Sequence, residues 1–346
     1  MPELIAWILV FAVAAYACAG GTDYGAGFWD LVAGGAERGD RPRRLIDHAM
    51  GPVWEANNVW LIFVLVVMWT GFPTVFQAVF GALWLPLALA AVGLVLRGAG
   101  FALRKPARRL ARRRFYGAVF AVSSLVTPFF LGAALGGIAS GRVAVGTTAT
   151  ADAWANPTSV LAGLLAVAAA AFLGAVFLCS DARRFGAQDL VDYFRRRALG
   201  ALGAIVVLAL IGLPVTHGDA RHVWHGLTGG PGLLLVLLAA ASALVTAVLL
   251  LRRTYRWCRY TAVASVALTV LAWGAAQSPY LLPTSLTVAG AAGAPDTLRW
   301  LTIVTVVAIV LIGPALVLLY WMDTHGELEP LTDADTGTGR APGDPR

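Results

Sequence analysis

Hydrophobic positions in this chain fall in long runs separated by short polar connections. The runs cover residues 5–23, 53–70, 74–96, 115–138, 158–178, 198–216, 231–251, 260–276 and 298–321. Each is close to the length that crosses ~30 Å of hydrocarbon at ~1.5 Å per helical residue. The pattern therefore predicts nine membrane helices. Gly71-Phe72-Pro73 is too short to do more than turn the chain, so the second and third helices are expected to pair as an antiparallel hairpin. After Leu331 almost no apolar residue remains, and Asp333, Asp335 and Asp344 alternate with Pro, Gly and Thr. Such a stretch buries too little surface to offset its ordering entropy. Residues 1–326 thus read as one transmembrane domain and 327–346 as a disordered cytoplasmic tail.

Composition places the chain outside the soluble class. Hydrophobic residues make up 59% and charged residues 13%, and the mean hydropathy is +0.75, as in a polytopic membrane protein. All 26 Lys and Arg except Arg142, Arg221 and Arg299 fall on one set of alternate loops or in the tail. Basic residues beside span ends are retained in the cytoplasm, which puts the N-terminus outside and the C-terminus inside. The same placement explains the net charge of +7 through topology and anionic-lipid contact, so nucleic acid is not an expected partner. Cys18, Cys179 and Cys258 lie near or inside spans and show neither metal nor disulfide spacing. The Ala15-Tyr16-Ala17-Cys18 run superficially resembles a leader cleavage site. Glu3 and the lack of a preceding basic residue favour an uncleaved first helix.

Two acids interrupt this apolar background. Asp23 ends the first run and Glu55 begins the second, inside Trp54-Glu55-Ala56-Asn57-Asn58-Val59-Trp60. An ionised side chain at mid-membrane costs about 2.5–3.5 kcal/mol, so such acids face a bundle interior or a polar path. Counted from Ile5 at the helical rise, Asp23 lies about 27 Å along the first helix, near the inner edge. Glu55 starts on that side, and Arg97 closes the third helix there. Asp23, Glu55 and Arg97 are expected to cluster, either as a proton entry site or as a structural ion pair. Asn57 and Asn58 are placed to orient water or bond across helices. Trp54 and Trp60 serve as interfacial anchors or as shields of Glu55. His48, His217, His222, His225 and His325 fall in predicted loops or the tail, and Met68 reads as core filling, so no haem ligand is expected on this chain. His217, His222 and His225 with Asp219 read as a solvated loop rather than a metal site. Intramembrane carboxylates also suit a secondary transporter, and a scaffold without proton traffic is a third reading.

Four ordered segments resemble subunit II of cytochrome bd quinol oxidases. Thr22-Asp23-Tyr24-Gly25-Ala26-Gly27 is similar to its Phe-Asp-Leu-Gly-Val-Gly signature, and Pro52-Val53-Trp54-Glu55-Ala56-Asn57-Asn58-Val59-Trp60-Leu61 to its Pro-x-Trp-Asp-Gly-Asn-Glu-Thr-Trp-Leu. Arg97-Gly98-Ala99-Gly100-Phe101-Ala102-Leu103-Arg104 follows its Arg-Gly-x-x-Phe-Glu-x-Arg run, and Trp273-Gly274-Ala275-Ala276-Gln277-Ser278-Pro279-Tyr280-Leu281 its Trp-Gly-x-x-Gln-x-Pro-Tyr-Leu segment. Glu55 replaces an aspartate and keeps the carboxylate. Thr22 and Tyr24 make the surroundings of Asp23 wetter, and Ala102 removes an acid that would partner Arg97 or Arg104.

The resemblance implies an all-α polytopic membrane protein, its nine transmembrane helices arranged as two four-helix bundles plus one peripheral helix. It implies a haem-free subunit that supports a haem-bearing subunit I carrying haems b and d. That complex would couple quinol oxidation to reduction of oxygen to water, electrogenic without pumping, in the cell membrane of a prokaryote. Asp23, Glu55, Asn57 and Asn58 are then proton-path candidates, and Arg97 and Arg104 are ion-pair or positioning residues. A structural quinone, lipids and a small single-helix accessory subunit are the further expected partners.

Overall fold

The computed structural model describes residues 1–35, 39–49, 53–104, 109–146, 148 and 150–325, apart from the side chains of residues 53–55, 110, 113, 320 and 323–325. The expected tail at 327–346 lies outside the described residues. The chain runs α1 (Pro2–Leu31), α2 (Asp40–Ala49), α3 (Val53–Gly71), α4 (Pro73–Ala82), α5 (Trp84–Arg104) and α6 (Leu110–Ala139). It continues with α7 (Pro157–Arg184), α8 (Gln188–Asp219), α9 (Arg221–Thr228), α10 (Gly230–Leu251) and α11 (Cys258–Gln277). A small antiparallel pair, β1 (Tyr280–Leu282) and β2 (Leu286–Thr287), precedes α12 (Val288–Ala291) and α13 (Pro295–His325). Among the described residues eight helices are each long and apolar enough to cross a membrane, and α3 with α4 makes a ninth if that bent pair is one span.

The hydrophobic runs locate most helices, but two expectations fail. α3 and α4 meet at 118°, so Gly71-Phe72-Pro73 does not join an antiparallel hairpin; α3 packs instead on α1 and α13. The run 74–96 is also not one helix, because it breaks between α4 and α5. Pro86 explains the break. It has no N–H for the Ala82 carbonyl four residues earlier, and its ring crowds that carbonyl. The five histidines are likewise helical rather than in loops: His48 lies in α2, His217 in α8, His222 and His225 in α9, and His325 in α13.

α1 is the central helix, contacting α3, α6, α7 and α11. It crosses α7 at glycines, where a Cβ on Gly25 would lie 2.0 Å from the Ala170 carbonyl oxygen and one on Gly174 would lie 2.6 Å from the Gly25 Cα. Only hydrogen at both positions permits this approach. Trp29 Nε1 ties the same pair by donating to the Ala171 carbonyl at 2.8 Å. Phe172, Val191 and Phe194 fill the core at the end of the bundle where α2 lies, here the basic end. Ile5, Val67, Phe72 and Leu282 fill it at the opposite, hairpin end. α13 packs chiefly on α3 and leaves side chains such as Val304, Leu311 and Val317 exposed, an apolar surface suited to lipid.

Candidate functional site: a polar ladder along the first helix

Asp23 and Asp30 are seven residues apart on α1, which is two helical turns, so both carboxylates project on nearly the same face. Arg97 and Arg104 repeat that spacing on α5. The outcome is two polar layers about 10 Å apart along the helix axis.

The layer nearer the basic end is closed. Asp30 is only 4% exposed; its Oδ1 accepts from Arg43 Nε at 2.9 Å and its Oδ2 from Arg104 Nη1 at 2.6 Å. Arg104 also lies 3.4 Å from Asp47. The carboxylates that satisfy Arg104 thus come from α1 and α2, which answers the missing acid at Ala102. Sequence reading missed Asp30 because it stands near a span end, where an acid is unremarkable; its spacing from Asp23 was the available signal.

The deeper layer is arranged differently. Asn57 Nδ2, on α3, donates to Asp23 Oδ2 at 2.7 Å, so two of the expected residues meet across α1 and α3. Asn57 is buried and the neighbouring Asn58 is partly buried. Trp54 and Glu55 lie in the first turn of α3, and their side chains are outside the described residues. Trp60 sets its ring edge-on to Phe11 at 6.1 Å and to Phe63 at 6.4 Å. It packs against Tyr16 and Tyr24, whose hydroxyls are 2.6 Å apart.

Arg97 is 2% exposed and forms no ion pair with a carboxylate among the described residues. Its Nε donates to Ser124 Oγ at 3.2 Å, and its guanidinium carbon lies 4.9 Å from the Tyr24 ring centroid and 5.3 Å from that of Phe120. Aromatic faces and one hydroxyl therefore hold this cation, an arrangement that sequence spacing did not reveal. Its Nη2 is buried with no hydrogen-bond partner among the described residues.

At the hairpin end, Arg142 bridges Asp152 at 3.1 Å and Asp219 at 2.5 Å. The Asp219 hydrogen bond holds the Arg142 guanidinium above its ordinary range. Asp219 also accepts from Thr158 Oγ1 at 2.5 Å. His222 Nε2 lies 3.1 Å from the Gln277 carbonyl oxygen, and the His217 ring packs edge-on to Trp224. Among the described residues no group of three His, Cys, Asp or Glu is placed to hold a metal ion. A cavity of about 200 Å³, mostly apolar, lies in this half of the bundle, with Trp7, Tyr16, Met68, Leu131, Trp273 and Gln277 in its wall.

Comparisons with known proteins agree with this architecture. The family described as cytochrome bd terminal oxidase subunit II matches residues 1–323. The chain is 28% identical over 232 residues to cytochrome bd-I ubiquinol oxidase subunit 2 of Escherichia coli (strain K12), covering 64% of this chain and 59% of that relative's length. It is also 28% identical over 112 residues to cytochrome bd ubiquinol oxidase subunit 2 of Bacillus subtilis (strain 168), or 32% of each chain. Among solved structures, the bd oxidase from Geobacillus thermodenitrificans superposes with a TM-score of 0.78 at 25% identity, over 92% of this chain and 97% of that one. With the family match running through all the helices, the chain belongs to the cytochrome bd terminal oxidase subunit II family.

Proposed function

We propose that this chain is the haem-free subunit of a quinol oxidase that reduces oxygen to water, and that it conducts protons toward a haem-bearing subunit I. Haems b and d reside on that partner. The basic end faces the cytoplasm of a prokaryotic cell and the N-terminus lies outside, in keeping with the loop charges. Helices α1, α3, α5 and α6 form one four-helix group and α7, α8, α10 and α11 the other, with α13 peripheral. A small single-helix accessory subunit completes the complex. The cavity at the hairpin end suits a structural quinone, since it is apolar with a few polar groups in its wall. Membership of an oxidase family replaces the transporter reading.

One observation carries the proton role: Asp23 is bonded to Asn57 within the helical bundle, one layer deeper than an acid locked by two arginines. Asp30 accepts from both Arg43 and Arg104. Asp23 accepts from the Asn57 amide inside the bundle, a neutral donor beside an intramembrane carboxylate, which suits it to take and release a proton. Glu55, on the same helix as Asn57, is the second carrier. Electrons and protons then reach oxygen from opposite faces, which makes turnover electrogenic without pumping.

The test is Asp23→Asn in the assembled complex. Positioned proton transfer contributes about 10²–10⁴-fold, so oxygen consumption is expected to fall at least about tenfold while haem spectra stay intact. Full turnover in that variant overturns the reading.

A further inference from the structure

Tyr16 and Tyr24 stand in an apolar environment that gives their hydroxyls no packing role. Ala170, Leu61, Leu94 and Leu131 surround them, and phenylalanine would fill the same space. Both tyrosines are nevertheless buried with their hydroxyl oxygens 2.6 Å apart. In this pair one hydroxyl donates and the other accepts, so one proton of the pair remains to be passed on.

Polar atoms that lack partners mark both ends of this pair. At the Tyr24 end, Arg97 lies over the ring and its buried Nη2 has no partner among the described residues. At the Tyr16 end is the cavity, and farther along its wall the buried Gln277 Oε1 likewise has none among the described residues. An unmade buried hydrogen bond is unfavourable, and ordered water is the usual way such atoms are satisfied. Asp23 precedes Tyr24 on the same turn of α1.

We propose that Tyr24 and Tyr16 form a hydroxyl relay that extends the proton path from the Asp23 and Arg97 layer, two turns along α1, to the wall of the cavity. The inference rests on proton uptake through Asp23. A water on Arg97 Nη2 takes a proton delivered through Asp23 as it gives one to the Tyr24 oxygen, and the Tyr24 proton passes to the Tyr16 oxygen. The Tyr16 proton then leaves into the cavity. Each hydroxyl ends with one proton and no electrons move; rotation of both O–H bonds resets the relay. The cavity wall, rather than Asp23, is then the point at which this chain hands protons on.

Tyr24→Phe and Tyr16→Phe test the relay in the assembled, haem-replete oxidase, because both keep the ring and Tyr24→Phe keeps an aromatic face under Arg97. Quinol oxidase turnover is measured in H2O and D2O. Each variant is expected to run at least threefold slower, with a larger isotope ratio because proton delivery has become limiting. The double variant is expected to be no slower than the worse single one, as for two steps in series. Unchanged turnover and isotope ratio in both variants overturn the proposal, as does a slowing that multiplies in the double variant with no change in isotope ratio. Asp23→Asn is run alongside. If it blocks turnover while both Phe variants run at full rate, the relay fails and uptake through Asp23 stands; if Asp23→Asn itself runs at full rate, the uptake reading fails.

Discussion

Replacing Asp30 by Ala removes the anion at the centre of the closed layer. Arg104, itself buried, then keeps only Asp47 at 3.4 Å, and Arg43 loses its 2.9 Å partner. Breaking a buried pair by deleting one partner costs about 3–5 kcal/mol, because the remaining charge stays desolvated. Two features of this site favour the lower limit: Asp47 persists, and the Arg43 side chain is 27% exposed and can turn to water. A loss of about 3 kcal/mol corresponds to about a hundredfold shift in the folding equilibrium. The assay is thermal unfolding of the purified complex in detergent, followed by the loss of its haem absorbance. Asp30→Ala is expected to unfold at clearly lower temperature, and Asp30→Leu combined with Arg104→Leu to recover at least half of that loss, since apolar replacements remove the buried charge and its partner together. If Asp30→Ala melts like the parent protein, or the double variant is no better than the single, the closed layer is not what binds α1, α2 and α5 together.

Other substitutions have defined outcomes. Asn57→Leu removes the donor to Asp23, a hydrogen bond to a charged group worth about 1.5–3 kcal/mol, and is expected to slow oxygen consumption about tenfold or more with unaltered haem absorbance. Gly25→Val drives a side chain into the Ala170 carbonyl and is expected to abolish accumulation of the assembled complex in membranes, read by immunoblot; normal assembly would contradict the α1–α7 crossing. Asp219→Ala removes one of the two carboxylates on Arg142 and the acceptor of Thr158. It is expected to raise amide hydrogen exchange across residues 140–156 while leaving α1 unaffected.

Much of the architecture was legible in the sequence because a membrane helix announces itself by length and apolarity alone. The runs that became α1, α7 and α10 needed nothing further. The α4–α5 break was lost because a long apolar run averages over one residue, and Pro86 is apolar enough to pass unnoticed. The false hairpin came from treating a short connection as a reversal, whereas Phe72, at φ −137° and ψ 62°, turns the chain through 118°. In the site, the approach of α3 to Asp23 followed from helix ends at equal depth. The partners of Arg97 did not, because Tyr24, Phe120 and Ser124 carry no charge and lie on two other helices. Asp30 was readable from its two-turn spacing, but only a folded bundle shows that Arg43 and Arg104 close on it.

Proton movement into the membrane is most directly measured as the voltage generated when the fully reduced oxidase, reconstituted in vesicles, receives a pulse of oxygen. With Asp23→Asn, electron transfer among the haems of the complex is predicted to proceed at its normal rate while the voltage-generating phase slows at least tenfold. A voltage phase of unchanged rate and amplitude in that variant would contradict proton uptake through the carboxylate held by Asn57.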